Sequence, residues 1–449
     1  MKKNKYEIDM CNGTIMDKLI SFSLPLMVSG ILQLMFNAVD IIVVGRFSGS
    51  QALAAVGSTT ALINVFINLF MGISLGANVL AARYYAAGRD REMSETVHTS
   101  IMLALISGVV MAFVGVFFAK GALELMDTPA DVIDQSALYM RIYFMGMPFF
   151  MLYNYGAAIL RAVGDTKRPL YFLIVSGVIN AGLNMFLVIV FSLGVAGVAI
   201  ATVVSQAISC VLVLRCLYKS EGSYQLRFSK LCLKKDYIIP IFQVGIPAGI
   251  QSTVINFSNV LLQSSVNSFG SIAMAGYTAA NNVLGFLVNS VTQACMSFTS
   301  QNYGVGKYKR MDKVLIDCLI LSSGIALVMG GGAYLFGTEI LQIYTGDPEV
   351  IRCGMEILSI TTVPYFLCGI MDLFPGALRG MGCSAVPMIL SVIGTVGTRI
   401  VWIFGIFPRH RSLYVLFISY PGSWIITIIL QVICYLIVRK KVHSRAAAV

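Results

Sequence analysis

The chain has 449 residues, of which 57% are hydrophobic and 12% charged, and its mean hydropathy is strongly positive. A soluble protein of this composition would precipitate, so the water-soluble classes are excluded. The net charge of +11 would raise nucleic acid as a partner in a soluble chain, but its distribution along the sequence points to a lipid bilayer.

Apolar stretches of roughly 20 residues, long enough to cross ~30 Å of hydrocarbon, recur from end to end. Twelve are counted, near 16–45, 53–83, 95–119, 136–160, 170–191, 195–217, 237–266, 272–300, 314–336, 354–377, 387–407 and 413–438. The first is too long for a cleavable signal and lacks a small-residue cleavage pattern, so it is expected to stay as a helix. The predicted fold is an all-α polytopic membrane protein with twelve transmembrane helices in two parallel six-helix repeats.

The first segment carries Asp40 near its outer end, with Asn37 three residues before it on the same helical face. Charges inside membrane helices are rare and usually face a cavity, so Asp40 asks for a functional explanation. Asn154 in the fourth segment, and Asn180 and Asn184 one turn apart in the fifth, are further polar groups expected to line one pocket with it. A carboxylate that takes a proton from outside and releases it inside meets the requirement for proton-coupled export. A structural carboxylate bonded to the asparagines is the alternative. Sodium stays open at Asp40, because a carboxylate with amide carbonyls is an oxygen-only ligand set suited to hard cations.

Tyr218–Asp236 is polar and basic and reads as a cytoplasmic linker, 219–236, between an N-terminal lobe (1–218) and a C-terminal lobe (237–449). With both termini inside, inner segments hold 25 of the 32 Lys and Arg, which obeys the positive-inside rule. Outer loops are acidic, with Glu124, Asp127, Asp131 and Asp134 in the first half. The basic excess therefore sets orientation and contact with anionic lipid rather than nucleic-acid binding.

The second half repeats the first. Leu160-Arg161-Ala162-Val163-Gly164 returns as Leu378-Arg379-Gly380-Met381-Gly382, and Tyr85 and Gly88 return as Tyr303 and Gly306, all displaced by 218 residues. Pro25 and Pro148 return as Pro247 and Pro364 with small drifts. Such prolines remove an intrahelical bond and can bend a helix, serving as packing kinks or as hinges. Six segments per half make the repeats parallel, an arrangement of secondary transporters whose substrate path runs between lobes.

Two charges stand out in the second half. Asp372, seven residues before Arg379, either attracts a cationic substrate or takes part in coupling, or else is a structural partner of that arginine or of a backbone amide. Arg399 is expected to snorkel to the outer surface beside Arg409 and Arg411 rather than neutralise Asp372. The 23 methionines, Met35 among them, suit a pocket that re-packs around varied guests. Aromatics such as Phe36, Tyr153, Tyr277 and Phe286 suit cation–π contact with a quaternary ammonium.

At Asn37-Ala38-Val39-Asp40 followed by Gly45-Arg46, at the two Leu-Arg-x-x-Gly turns, at Asn180-x-x-x-Asn184 and the Gly194–Thr202 run, and at Tyr420-Pro421-x-x-Trp424, the chain resembles the multidrug and toxic compound extrusion (MATE) family. The resemblance covers essentially the whole membrane region. It implies a two-lobe antiporter that exports bulky, often cationic compounds in exchange for protons or sodium, with Asp40 as the coupling carboxylate. Vibrio-type sodium-coupled relatives carry a glutamate in the seventh helix, where this chain offers only Gln251, Asn256, Asn259 and Gln263. Archaeal relatives often have an aspartate where Asn184 stands. The first departure weakens a sodium site in the second lobe and the second leaves Asp40 without a carboxylate partner; the resemblance is closer to the DinF-like and bacterial drug-exporter branches than to the vibrio-type sodium-coupled branch.

The candidate site is thus Asp40, Asn37, Asn154, Asn180 and Asn184 for ion coupling, and Asp372, Gln263, Met35, Tyr153 and Tyr277 for substrate. No catalytic set, metal cluster or cofactor is expected; an ion gradient would supply the energy. No phosphate-cradling Gly-x4-Gly-Lys-Ser/Thr loop occurs, and the three histidines are dispersed, which excludes an ATP-driven pump and makes an enzyme improbable. A flippase for lipid-linked saccharides is the alternative function. The expected setting is a bacterial inner membrane, with both termini cytoplasmic, a monomer, small-molecule substrates and no nucleic acid.

Overall fold

A computed structural model describes residues 6–126, 128–284, 288–342 and 346–447; the expectations for Asp127 and Phe286 lie outside the described residues. Within them the regular structure is helical. The first half comprises α1 (Met16–Phe47), α2 (Gly49–Ala86), α3 (Asp90–Glu124), α4 (Ile133–Met145), α5 (Met147–Ala162), α6 (Lys167–Met185) and α7 (Gly194–Lys219). The second comprises α8 (Lys235–Asn267), α9 (Ser271–Leu284), α10 (Val288–Gly304), α11 (Tyr308–Leu335), α12 (Gly337–Gln342), α13 (Pro348–Thr361), α14 (Tyr365–Gly380), α15 (Ala385–Ser391), α16 (Thr398–Val401), α17 (Leu413–Phe417) and α18 (Ser419–Ala447).

Among the described residues every predicted apolar segment coincides with helix. Among the described residues nine helical stretches are long and apolar enough to span a membrane, and α13 with α14 makes a tenth that is bent by 52°. Of the remaining two expected spans, one is interrupted between α4 and α5 at Gly146, and the other, near 272–300, includes residues 285–287 outside the described ones. Two of the repeated prolines stand at such junctions: Pro148 in the first turn of α5, after the Gly146 break, and Pro364 at the N-cap of α14, at the 52° bend. Proline fits a first helical turn, where its missing N–H costs nothing, but not a helix interior.

The repeated Leu-Arg-x-x-Gly letters are helix stops. Gly164 and Gly382 adopt φ of +95° and +88°, which a side chain would strain. Their N–H groups donate to Arg161 and Arg379, and the next residues donate back to Leu160 and Leu378 at 2.9 Å in both copies. This is the same doubly hydrogen-bonded C-cap built twice. Gly88 and Gly306, at φ +66° and +72°, repeat it after α2 and α10.

The chain divides into two units, Met1–Asp9 with Leu24–Gly249, and Met10–Ser23 with Ile250–Val449. The divisions within α1 and α8 fall beside Pro25 and Pro247. In the first unit, Gly72 and Gly76 of α2 meet Gly249, Gly245 and Ile241 of α8 so closely that an added methyl would overlap the facing backbone. The apolar interior of that unit is filled around Phe144, Met147, Met151 and Tyr155. The segment after α7 is tied down rather than loose. His98 accepts from the Arg227 N–H at 3.0 Å, and Glu95 pairs with Lys234 at 2.6 Å. Tyr224 donates to Glu7 at 2.6 Å, and burial together with that carboxylate holds its phenol above the ordinary range.

In the second unit, Leu262, Tyr277, Leu358 and Phe417 lie in one apolar cluster. Phe22 of α1 stacks edge-on against Phe298 of α10 at 5.7 Å.

Candidate functional site

In the first unit the site begins with how α1 lies on α6. Gly177 leaves room for the Phe36 ring, which occupies the space a side chain at 177 would need. Four residues on from Phe36 and seven on from Gly177, one to two helical turns, Asp40 meets Asn184. Asn184 donates its amide to the Asp40 carboxylate. The same amide nitrogen lies 3.2 Å from the Asn180 carbonyl oxygen, an i,i+4 pair along α6. Asn180 and Asn184 are buried, and Asp40 is half-buried. The Asn184 Oδ1 is enclosed and has no hydrogen-bond partner. Directly after Asn184 the helix widens into a π turn, Phe186–Val190, a local expansion often found at functional positions.

Two of the four asparagines expected around Asp40 make no bond to it or to Asn184 among the described residues. Asn154 spends its amide on the Phe150 carbonyl of its own helix at 2.8 Å, and Asn37 is an exposed side chain. Sharing a helical face with Asp40 does not suffice for Asn37, since Asn184 reaches Asp40 from α6 instead. Tyr139 and Tyr143 of α4, which the sequence did not single out, lie within electrostatic reach of the Asp40 carboxylate.

The second unit is organised around two arginines. Gln251 of α8 accepts from Arg379 Nη2 at 2.7 Å and donates to Ser391 at 3.1 Å. Eight residues on, which is the same face of α8, Asn259 accepts from Arg399 Nη1 at 2.8 Å. Arg399 is 3% exposed and lies over the Tyr420 ring at 4.3 Å. The expected snorkelling of Arg399 to the surface is therefore corrected: an amide oxygen and an aromatic face hold it inside. Asp372 is half-buried and within the field of Arg379, with no ion pair between them.

Of the expected substrate groups, Met35 and Gln263 are exposed, Met35 at 57%. Tyr153 is buried and donates to the Pro169 carbonyl at 3.2 Å. Tyr277 is buried with its hydroxyl 3.5 Å from that of Tyr420. Within the second unit, Tyr277 and Arg399 thus share one neighbour.

A duplicated bundle of membrane-spanning helices that holds charged and amide side chains inside apolar surroundings is the construction of a secondary transporter. The family model described as MatE matches the chain twice, over residues 25–186 and 247–404, one match in each half. The chain belongs to the MATE family, whose members are multidrug efflux transporters and not enzymes, and it is a multi-pass membrane protein. It is similar to the "Probable multidrug resistance protein YoeA" of Bacillus subtilis (strain 168), with 31% identity over 94% of this chain and 93% of that one. It is also similar to the "Multidrug export protein MepA" of Staphylococcus aureus (strain NCTC 8325 / PS 47), with 22% identity over 84% of each chain. Among solved structures, a MATE transporter in complex with MaL6 shares the fold at a TM-score of 0.91, with 19% identity over 100% of both chains. An outward-facing multidrug resistance MATE transporter of the MOP superfamily does so at 0.90, with 20% identity over 100% of both.

Proposed function

We propose that the protein is a secondary antiporter that exports bulky cationic or amphipathic small molecules as protons enter, with Asp40 carrying the proton and two lobes alternating access. The lobes correspond to the repeats 1–218 and 237–449, joined through 219–236. The observation that carries this reading is the Asp40 carboxylate held by Asn184, itself bonded to Asn180 and buried. Such a carboxylate accepts the amide hydrogen best when ionised, and protonation weakens that bond. Titration of Asp40 therefore changes how α1 is tied to α6, and a ligand or proton biases two states only through its different affinity for them. Asp372, a half-buried acid in the second unit, supplies attraction for cationic guests that a low-dielectric setting leaves unscreened. The setting is a bacterial inner membrane, the termini are cytoplasmic, and the working unit is a monomer that needs no cofactor beyond the ion gradient.

Sodium is the second reading, favoured by one observation. The unpartnered Asn184 Oδ1 lies on the side chain that holds Asp40, so carboxylate and amide oxygens are at hand for a hard cation. Proteoliposomes loaded with a fluorescent cation decide between the two. Efflux driven by an imposed proton gradient at zero sodium supports proton exchange. Efflux only under a sodium gradient assigns Asp40 to sodium, and efflux under neither removes the antiport reading.

A further inference from the structure

Arg399 is a guanidinium in the interior of a membrane-spanning helix, and charges in such places are paired, face water or serve transport. Its surroundings in the second unit account for only part of its donors. Nη1 is spent on Asn259, and the cation lies on the Tyr420 ring, whereas Nε is enclosed without a hydrogen-bond partner. Among the described residues no carboxylate forms an ion pair with it. Asp372 lies in the field of Arg379, and Asn259 and Tyr420 carry no charge. The helix is also locally expanded on both sides of Arg399, by π turns at Val392–Gly397 and Trp402–Ile406. Such turns are rare and recur at functional positions, so the side chain sits in a stretch where the regular α-helical hydrogen-bond ladder is broken on both sides.

A planar guanidinium with an unsatisfied edge and an aromatic backing matches a carboxylate in shape, charge and hydrogen-bond geometry. We infer that Arg399, with Asn259 and Tyr420, forms a carboxylate-binding subsite, so that the exported compounds include amphipathic zwitterions whose acid group docks there. The inference deepens the proposed export function and rests on it. It adds that a positive guest need not be purely cationic.

Rhodamine 110, which has a free carboxylate, and its methyl ester rhodamine 123 present the same xanthene cation with and without the negative group. Binding of each to the purified full-length protein is measured by fluorescence anisotropy at constant chloride. In the expected result, Arg399→Gln weakens the acid about tenfold or more and leaves the ester within about twofold, while Arg399→Lys retains part of the preference. Asn259→Asp keeps the arginine but gives it a built-in carboxylate, and is expected to abolish the preference for the acid equally well; a thermal melt checks that each variant is folded. Equal losses for acid and ester, no loss for either, or a wild type that does not bind the acid would overturn the subsite. Efflux of both dyes from proteoliposomes separates the two proposals. Gradient-driven export of the ester without acid-selective binding removes the subsite alone, and acid-selective binding without export of either dye removes the export function alone.

Discussion

The two units solve the same placement problem with opposite charge. In the first, a half-buried acid on α1 is held by an amide from the fifth span, and a π turn follows. In the second, a buried base on the eleventh span is held by an amide from α8 between two π turns. Asn259 stands twelve residues after Pro247, as Asn37 stands twelve after Pro25, yet only Asn259 holds the charged group. Duplication has thus kept the backbone devices, namely the C-caps at Gly164 and Gly382 and the helix breaks at Pro148 and Pro364. The charged groups themselves are not counterparts: at the displacement that carries Pro25 to Pro247 Asp40 falls on Leu262, and at 218 residues Arg399 falls on Ala181. A titratable carboxylate can exchange an ion, whereas a guanidinium stays charged throughout the working pH range. Under the proposed function, ion exchange falls to Asp40 in the first unit, while Arg399 and Asp372 in the second hold and discriminate guests.

The largest expected effect breaks the comparison outright. Asp40→Asn keeps size and hydrogen bonding but removes titration, so gradient-driven efflux is expected to fall at least about a hundredfold while the melting temperature stays within a few degrees. Wild-type efflux by this variant would leave the first unit without its assigned role. Asn184→Ala comes next. Removing the amide that holds the carboxylate leaves a partly buried charge short of a partner, at a cost of about 1–3 kcal/mol, and efflux is expected to drop roughly tenfold with a displaced pH profile. An unchanged pH profile would show that Asn184 does not tune Asp40.

Smaller effects sharpen the division of labour. Asp372→Asn is expected to lower export of monocations severalfold and leave neutral guests within about twofold; equal losses would make Asp372 structural or place coupling in the second unit as well. Gly177→Ala forces the Phe36 ring to move and is expected to cost about 1–3 kcal/mol of stability, the usual range for overpacking. Calorimetry showing no loss would mean that α1 docks on α6 by other contacts.

Part of this site was legible in one dimension. Asp40 announces itself because a charge in an apolar run has few explanations, and Asn180 with Asn184 shows the i,i+4 spacing of one helical face. The fold was legible for a similar reason, since membrane-length apolar runs, matched prolines and a 218-residue displacement are all properties of the string. What stayed hidden depends on contacts between distant helices. The recess at Gly177 that receives Phe36 and the approach of Tyr139 and Tyr143 to Asp40 leave no periodic trace. By sequence Arg399 resembles an interfacial cation, since Arg409 and Arg411 follow it. Its actual partner, Asn259, lies 140 residues earlier, and nothing in either local sequence reveals the pairing.

Linkage between proton and guest tests the division between the units most directly. If Asp40 carries the proton and its protonation biases the transporter away from the guest-binding state, each ligand weakens the other by the same factor. Affinity for a permanently charged fluorescent cation is measured on the purified protein across pH, in wild type and Asp40→Asn, with and without sodium. The expected result is that wild-type affinity falls as pH drops through the titration of Asp40, that the variant's affinity is flat, and that sodium changes neither. Affinity independent of pH yet weakened by sodium in the wild type would contradict proton coupling and make the Asp40 and Asn184 oxygens a sodium site.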